Sequence, residues 1–368
     1  MSDSSSFIDL PPEILSMISE LSPNPQNALI SRDFFEISKF EKEQTLKDPH
    51  KYIDSLHPFL KYLIHIPKFQ HKIFETACLK GNLDILLLFP ADFIEINKDE
   101  GLSLAARGGH INIINHFESK GAHNWNSGMS YAARGGHIDI IHYFESKGAD
   151  DWNATMAYAA NGGYLNIVKY CESKGAGAWN RAMGHASHGG HIDTVKYCES
   201  KGAHNWDSAM TDAALGGHSE LVKYCESKGA KNWNGCMELA ALGGYLELVK
   251  YCESKGGDKW KKVALAASRR GHRNVLEYCC SEINDWQVPM AFAARAGYMD
   301  IVLFCESKGA HNWNISMEQA ALGGHIDIVK YCASKGANKW DDCIIYAGRG
   351  GHSDIIQFCK SKGVSNEI

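Results

Sequence analysis

From about Ile73 onward the apolar residues fall into two short stripes that recur at a fixed interval along the chain. The unit from Trp125 to Ala149 shows the pattern. Met129, Ala132 and Ala133 have the i, i+3, i+4 spacing of one helical face. Ile140, Ile141 and Phe144 form a second such face. Gly135-Gly136 separates the stripes, and Gly readily takes the positive φ at which helices end. Asn126, with its equivalents Asn153, Asn180, Asp207, Asn234, Asn314 and Asp341, is expected to cap the first helix. Asp139 suits the positive end of the second helix dipole, while Lys147 and Gly148 suit its end. The pattern therefore predicts two short helices per unit.

Two residue ladders fix the phase. All nine tryptophans lie on one register: Trp125, Trp152, Trp179, Trp206, Trp233, Trp260, Trp286, Trp313 and Trp340. The intervals are equal except for the one between Trp260 and Trp286, which is shorter by a single residue. Eight of the twelve cysteines lie on another register: Cys171, Cys198, Cys225, Cys252, Cys279, Cys305, Cys332 and Cys359. Phe117 and Phe144 hold that cysteine position in the two preceding units. A fixed period in this range marks a solenoid, whose units bury their apolar faces only against neighbours.

Ala132-Ala133-x-Gly135-Gly136-His137-x-Asp139-Ile140-Ile141, closing with Gly148-Ala149-Asp150, resembles the ankyrin repeat. The resemblance covers about eleven units, the first divergent. It departs from the family in length, since each unit is shorter than the roughly 33 residues of an ankyrin repeat. The shortfall falls where the family has a β-hairpin finger, compressed here to His123-Asn124-Trp125-Asn126. Only Glu95 to Gly101 retains something like the longer form. The expected fold is all-α: an ankyrin-like α-solenoid of helix-turn-helix repeats over residues 73–368, with reduced fingers and the Trp ladder in their place.

Residues 1–72 lack the repeat. Leu10-Pro11-x-Glu13-Ile14-Leu15, then Leu29-Ile30-Ser31-Arg32-x-Phe34, resembles an F-box over residues 1–40. That family docks on the Skp adaptor of cullin-based ubiquitin ligases. By resemblance the adaptor-binding candidates are Leu10, Pro11, Ile14, Leu15, Ile18, Leu29, Ile30 and Phe34. A helical cap shielding the first repeat is the alternative. Residues 41–72, with Tyr52, Leu56, Phe59, Leu60, Leu63 and Ile64 at helical spacing, are expected to form a helical connector. F-box followed by ankyrin repeats resembles proteins of large DNA viruses and some protists, and implies a substrate receptor.

Charge adds little: 38 Lys+Arg against 43 Asp+Glu, net −5. That balance gives no global attraction to nucleic acid or anionic membrane. The longest apolar run, Ile85 to Phe89, is far below the roughly 20 residues of a membrane span. With no secretory signal pattern, the expectation is a cytoplasmic or nuclear monomer that takes no cofactor. Cysteines one unit apart are about 10 Å from each other, too far for a disulfide, and read as small buried hydrophobes. The recurrent His110, His137, His191, His218, His272, His325 and His352 alternate with Tyr164, Tyr245 and Tyr298, so they read as turn hydrogen bonders. Glu145-Ser146-Lys147 and its repeats read as a solvated face of alternating charge. No nucleophile–base–acid constellation or phosphate loop is visible, which argues against an enzyme.

What varies while the frame repeats is a stripe on the first helix. Its members are Tyr131, Arg134, Tyr158, Asn161, His185, His188, Asp212, Leu215, Leu239, Leu242, Phe292, Arg295, Gln319, Tyr346 and Arg349. Aromatics, Arg and exposed Leu mark it as the expected target-binding face. Neutral drift at tolerant surface positions is the alternative. One unit departs from the frame. Cys280 to Asp285 replaces Glu-Ser-Lys-Gly-Ala, one residue short, beside Lys259, Lys261, Lys262, Arg269, Arg270 and Arg273. A bend with solvated basic residues is expected there.

Overall fold

The structure, a computed structural model, describes residue 64 and residues 67–363. Among these residues every regular element is a helix and none is a strand. The eight F-box candidates from Leu10 to Phe34, and the connector up to Leu63, lie outside the described residues. Ile64 is fully buried. The chain divides into two units, one of Met1–Ala159 with Asn166–Ala176 and the other of Ala160–Leu165 with Gly177–Ile368. Within each unit the helix pairs stack consecutively in a solenoid-like array.

In the first unit, Pro67–Lys80 packs on Ala91–Gly108, which packs on Trp125–Gly135. The second helices include Ile111–Ser119 and Ile138–Ser146. The expected core is buried: Met129, Ala132, Ala133, Ile140, Ile141 and Phe144. The expected finger remnant at Glu95 to Gly101 is not one. It lies inside the continuous helix Ala91–Gly108. Ile94, Leu102 and Ala105 are buried at helical spacing along it, so apolar burial drives this segment helical.

A close approach explains one glycine position. A Cβ on Gly128 would lie 2.7 Å from Phe144 Cζ, and one on Gly101 would lie 2.4 Å from Phe117 Cζ. Where Cys171 replaces the Phe, the facing first-helix residue is Thr155. A large residue on the second helix thus meets none on the first, and a small thiol meets a small side chain. This is the volume matching that close-packed interiors require.

In the second unit the first helices run from Trp179–Gly189 to Trp340–Gly350, each packed on the next. Met210, Met237, Met290 and Met317 are fully buried with their alanine pairs, and Met183 with Ala186 and Ser187. The irregular repeat shortens its second helix to Arg273–Tyr278 and closes with a 3-10 turn, Cys279–Glu282. Trp286 precedes its helix as the N-cap instead of opening it, and is only 4% exposed.

The cap of the first helix differs from expectation. The helix begins at Trp125, and the N-cap is Asn124, whose side chain accepts from Ser127 N. Asn205, Asn232 and Asn312 cap in the same way. Asn126 is already inside the first turn, so its side chain is free to reach outward to the next repeat.

Candidate functional site

Most polar groups of the repeat frame hold one repeat to the next. Asn126 Oδ1 accepts from Asp150 N and Asp151 N, at 2.8 and 2.9 Å. Asp99, Asn180, Asp207, Asn234, Gln287 and Asn314 accept from two successive amides in the same way. One side-chain oxygen thereby satisfies two loop N–H groups ahead of a helix.

The histidines also act between repeats, not only within their own turn. His218 Nε2 lies 3.0 Å from the His188 carbonyl at the end of the preceding first helix. A carbonyl only accepts, so this nitrogen carries the proton. His137 reaches Arg107, His191 reaches Asn161 and His272 reaches Leu242 in the same manner. The ring lies against the glycine that closes the earlier helix. A Cβ on Gly190, whose φ is +84°, would meet His218 Cε1 at 2.5 Å.

The Glu and Lys rows are likewise not a merely solvated face. The Tyr251 hydroxyl and Lys255 Nζ both donate to the Glu226 carboxylate of the preceding repeat, each at 2.5 Å. The same Tyr and Lys clamp closes on Glu118, Glu145, Glu199 and Glu306. Lys255 Nζ also lies 6.0 Å from the Trp233 ring centroid and 5.3 Å from that of Tyr251. The ladder tryptophan thus packs edge-on to the tyrosine and under the ammonium. Hydrogen bonds from Lys first, then Tyr, hold these five glutamates below their ordinary pKa.

The variable positions stand outside this frame. In the first unit Tyr131, Arg134 and Tyr158 are half-buried, and the two tyrosine rings lie 5.5 Å apart. Burial, then the neighbouring Arg107, lowers the Arg134 pKa. In the second unit Asn161, His185, His188, Asp212, Leu215, Leu239, Leu242, Phe292, Gln319 and Tyr346 are half-buried, and Arg295 and Arg349 exposed. Asn161 Nδ2 donates to the His185 carbonyl at 3.2 Å. Burial raises the Asp212 carboxyl, against the pull of His188. Arg349 lies over the Tyr346 ring at 5.3 Å, and Arg269 over Phe292 at 4.3 Å. Three of the other basic residues are paired: Lys259 with Asp258, Lys262 with Glu238 and Arg273 with Glu277.

The ladder cysteines are buried, and burial pushes Cys171, Cys198, Cys225, Cys279, Cys305 and Cys332 up to about 12. Spacing alone did not disclose that Cys236 meets Cys252, or Cys343 meets Cys359, with Sγ atoms 3.0 and 2.9 Å apart. The separation of each pair along the chain becomes informative only once two helices of one repeat are folded together. Among the described residues no group of three or more His, Cys, Asp or Glu converges, and no helix is long and apolar enough to cross a membrane.

No protein-family model matches the chain, and no curated protein does either.

Proposed function

We propose that this protein is a recognition module that binds a protein target through the first-helix face of its ankyrin-like repeats. The supporting observation is a division of labour. Trp, Asn, Gly-Gly, His, Tyr, Glu and Lys of the frame are engaged in contacts between or within repeats. The half-exposed first-helix positions vary in chemistry from repeat to repeat and keep part of their surface accessible to another molecule. Tyr131, Tyr158 and Phe292 supply aromatic surface there, Arg134 and Arg295 supply charge, and Leu215, Leu239 and Leu242 supply an apolar stretch. The role is binding, not catalysis, in the cytoplasm or nucleus.

The F-box-like pattern from Leu10 to Phe34 adds a second partner. In that reading the N-terminal segment docks a Skp-type adaptor with its cullin, and the repeats bring the substrate to the ligase. The test is a pull-down of the full chain, and of a version beginning at Pro67, with purified Skp adaptor and cullin. Capture by the full chain alone supports a ligase subunit. Capture by neither, with both chains folded by circular dichroism, removes the ligase link and leaves a stand-alone scaffold.

A further inference from the structure

The two close cysteine pairs occupy one structural position in two repeats. Each joins the residue before the core position of the first helix to the ladder cysteine of the second. In the other repeats of the second unit this first-helix position holds Ala182, Ala209, Val263, Pro289 or Ser316, none of which can bond to sulfur. Only Cys236 and Cys343 supply a partner thiol. A disulfide needs the sulfur atoms about 2.05 Å apart. Cys343 and Cys359 stand at 2.9 Å, so closure moves them by less than about one ångström.

The two pairs differ in cover. The first helix of the Cys236 repeat, Trp233–Gly243, is packed between Trp206–Gly216 and Trp260–Arg270. The Cys343 repeat packs on Trp313–Gly323, and its other face carries less cover among the described residues. Ile345 is 53% exposed there, and a Cβ on Gly348 or Gly351 would meet nothing within 4 Å. Both thiols are buried at rest, so a small reagent reaches them when this repeat opens briefly. A less covered repeat opens at lower cost than one enclosed on both sides.

We propose that Cys343 and Cys359 are a reversible dithiol–disulfide couple that reacts with low-molecular-weight disulfides. Either sulfur can donate in the contact between them; with Cys343 as donor the Cys359 thiolate is favoured, while burial opposes this. Cys359 thiolate attacks the reagent disulfide R–S–S–R. A protein–S–S–R bond forms, the S–S bond of the reagent breaks, and RS⁻ leaves and takes up a proton. Cys343 then loses its proton and attacks the Cys359 sulfur, forming the Cys343–Cys359 bond and expelling the second RS⁻. Two protein thiols are oxidised, and one R–S–S–R is reduced to two R–SH. The product ties the two helices of that repeat together.

The test uses the full native chain and oxidised glutathione, followed by acid quench, alkylation in denaturant and peptide mass mapping. The expected result is loss of two of the twelve alkylatable thiols, recovered as a Cys343–Cys359 crosslink, before any Cys236–Cys252 crosslink appears. Dithiothreitol restores both thiols. In Cys343→Ala the glutathione adduct stays on Cys359, because no second thiol expels it. The proposal is overturned if the native chain keeps all twelve thiols, if glutathione stays on Cys359 in the unsubstituted protein, or if the enclosed pair reacts first. The unsubstituted protein decides the question by itself, even if the variant folds poorly.

Discussion

The Tyr251 hydroxyl donates to Glu226 Oε2 of the preceding repeat at 2.5 Å. The chain carries its own control for this bond. Wherever the glutamate is kept, the residue one repeat on is Tyr. Where it is replaced, by Cys280 or Ala333, that residue is Phe304 or Phe358. The hydroxyl is present where it has an acceptor. A buried or half-buried hydroxyl with no acceptor carries a desolvation cost that Phe avoids.

Tyr251→Phe should therefore destabilise the protein by about 1 kcal/mol, the ordinary value of one hydrogen bond. Glu226→Ala alone should cost more, since it also removes the partner of Lys255. The double substitution should fall short of the sum, because both changes remove the same bond. Urea unfolding of the four proteins measures the coupling. Strict additivity would show that the hydroxyl and carboxylate do not interact in solution.

The clamps give stability an acid limit. Glu118, Glu145, Glu199, Glu226 and Glu306 have folded pKa values below the ordinary 4.5. A lowered carboxyl pKa contributes stability above the unfolded value, lost as pH falls through the folded one. The midpoint of thermal unfolding should drop below about pH 4.5, and Glu226→Gln should make that drop shallower. Tyr278 works in the other direction. Its bond to Glu253 raises its pKa from 10.0 to about 12, so its contribution is full below pH 10 and lost as pH rises to about 12. Tyr278→Phe should remove that alkaline component. An unchanged alkaline profile would count against the bond.

Gly190→Ala meets two obstacles. The φ of +84° disfavours any side chain, by about 1–2 kcal/mol, and the His218 ring stands 2.5 Å from the new Cβ. Adding His218→Ala should relieve the clash but not the backbone strain, so rescue should be partial. Chemical denaturation of the single and double variants separates the two terms. Full rescue would mean that backbone conformation contributes nothing here.

Gly128→Ala brings a methyl to within 2.7 Å of Phe144 and 2.8 Å of Leu102 and should cost about 1–3 kcal/mol, as overpacked cores do. Combining it with Phe144→Cys recreates the Ala and Cys pairing already present at Ala182 and Cys198. The double variant should recover the part of the loss due to Phe144 and keep the part due to Leu102, read as the urea midpoint. A double variant less stable than Gly128→Ala would refute the volume-matching account.

Replacing Tyr131, Tyr158 and Leu239 with Ala should abolish target capture while leaving the chain folded, with a stability loss of about 0.5–1.5 kcal/mol from the Tyr131–Tyr158 ring contact. Capture and unfolding are to be measured on the same preparation. Loss of the fold would show that the face is structural.

The helix pairs and their cores were legible in the repeat period because burial is local to each unit and recurs many times. Met129, Ala132, Ala133 and Phe144 could be placed from spacing alone. What spacing concealed was the direction of the polar side chains. Asn126 has the right chemistry for a cap, but the true cap is Asn124, slightly earlier in the chain, and both are asparagine. Glu145 and Lys147 read as a wet surface because their partners lie in neighbouring repeats, and a one-dimensional pattern does not say which residues face each other. The Tyr and Phe alternation against Glu was the available clue. The Cys343 and Cys359 pair had no such clue, since their distance along the chain matches no recognised ligand or disulfide spacing.

The recurrent bonds of the repeat frame share one sense, although single bonds such as that from Asn161 Nδ2 to the His185 carbonyl run the other way. The acceptors, namely the Glu carboxylate, the Asn oxygen and the helix-end carbonyl, belong to the earlier repeat. The donors, namely the Tyr hydroxyl, Lys ammonium, His ring and loop amides, belong to the later one. Each repeat is therefore a coupling with unlike ends, and a head fits only a tail. A tandem duplication that inserts one full period would present matched ends at both new joints, whereas an inverted stacking would set acceptor against acceptor. The geometry that fastens one repeat to the next also supplies a rule by which such a gene could lengthen or shorten without losing its fit.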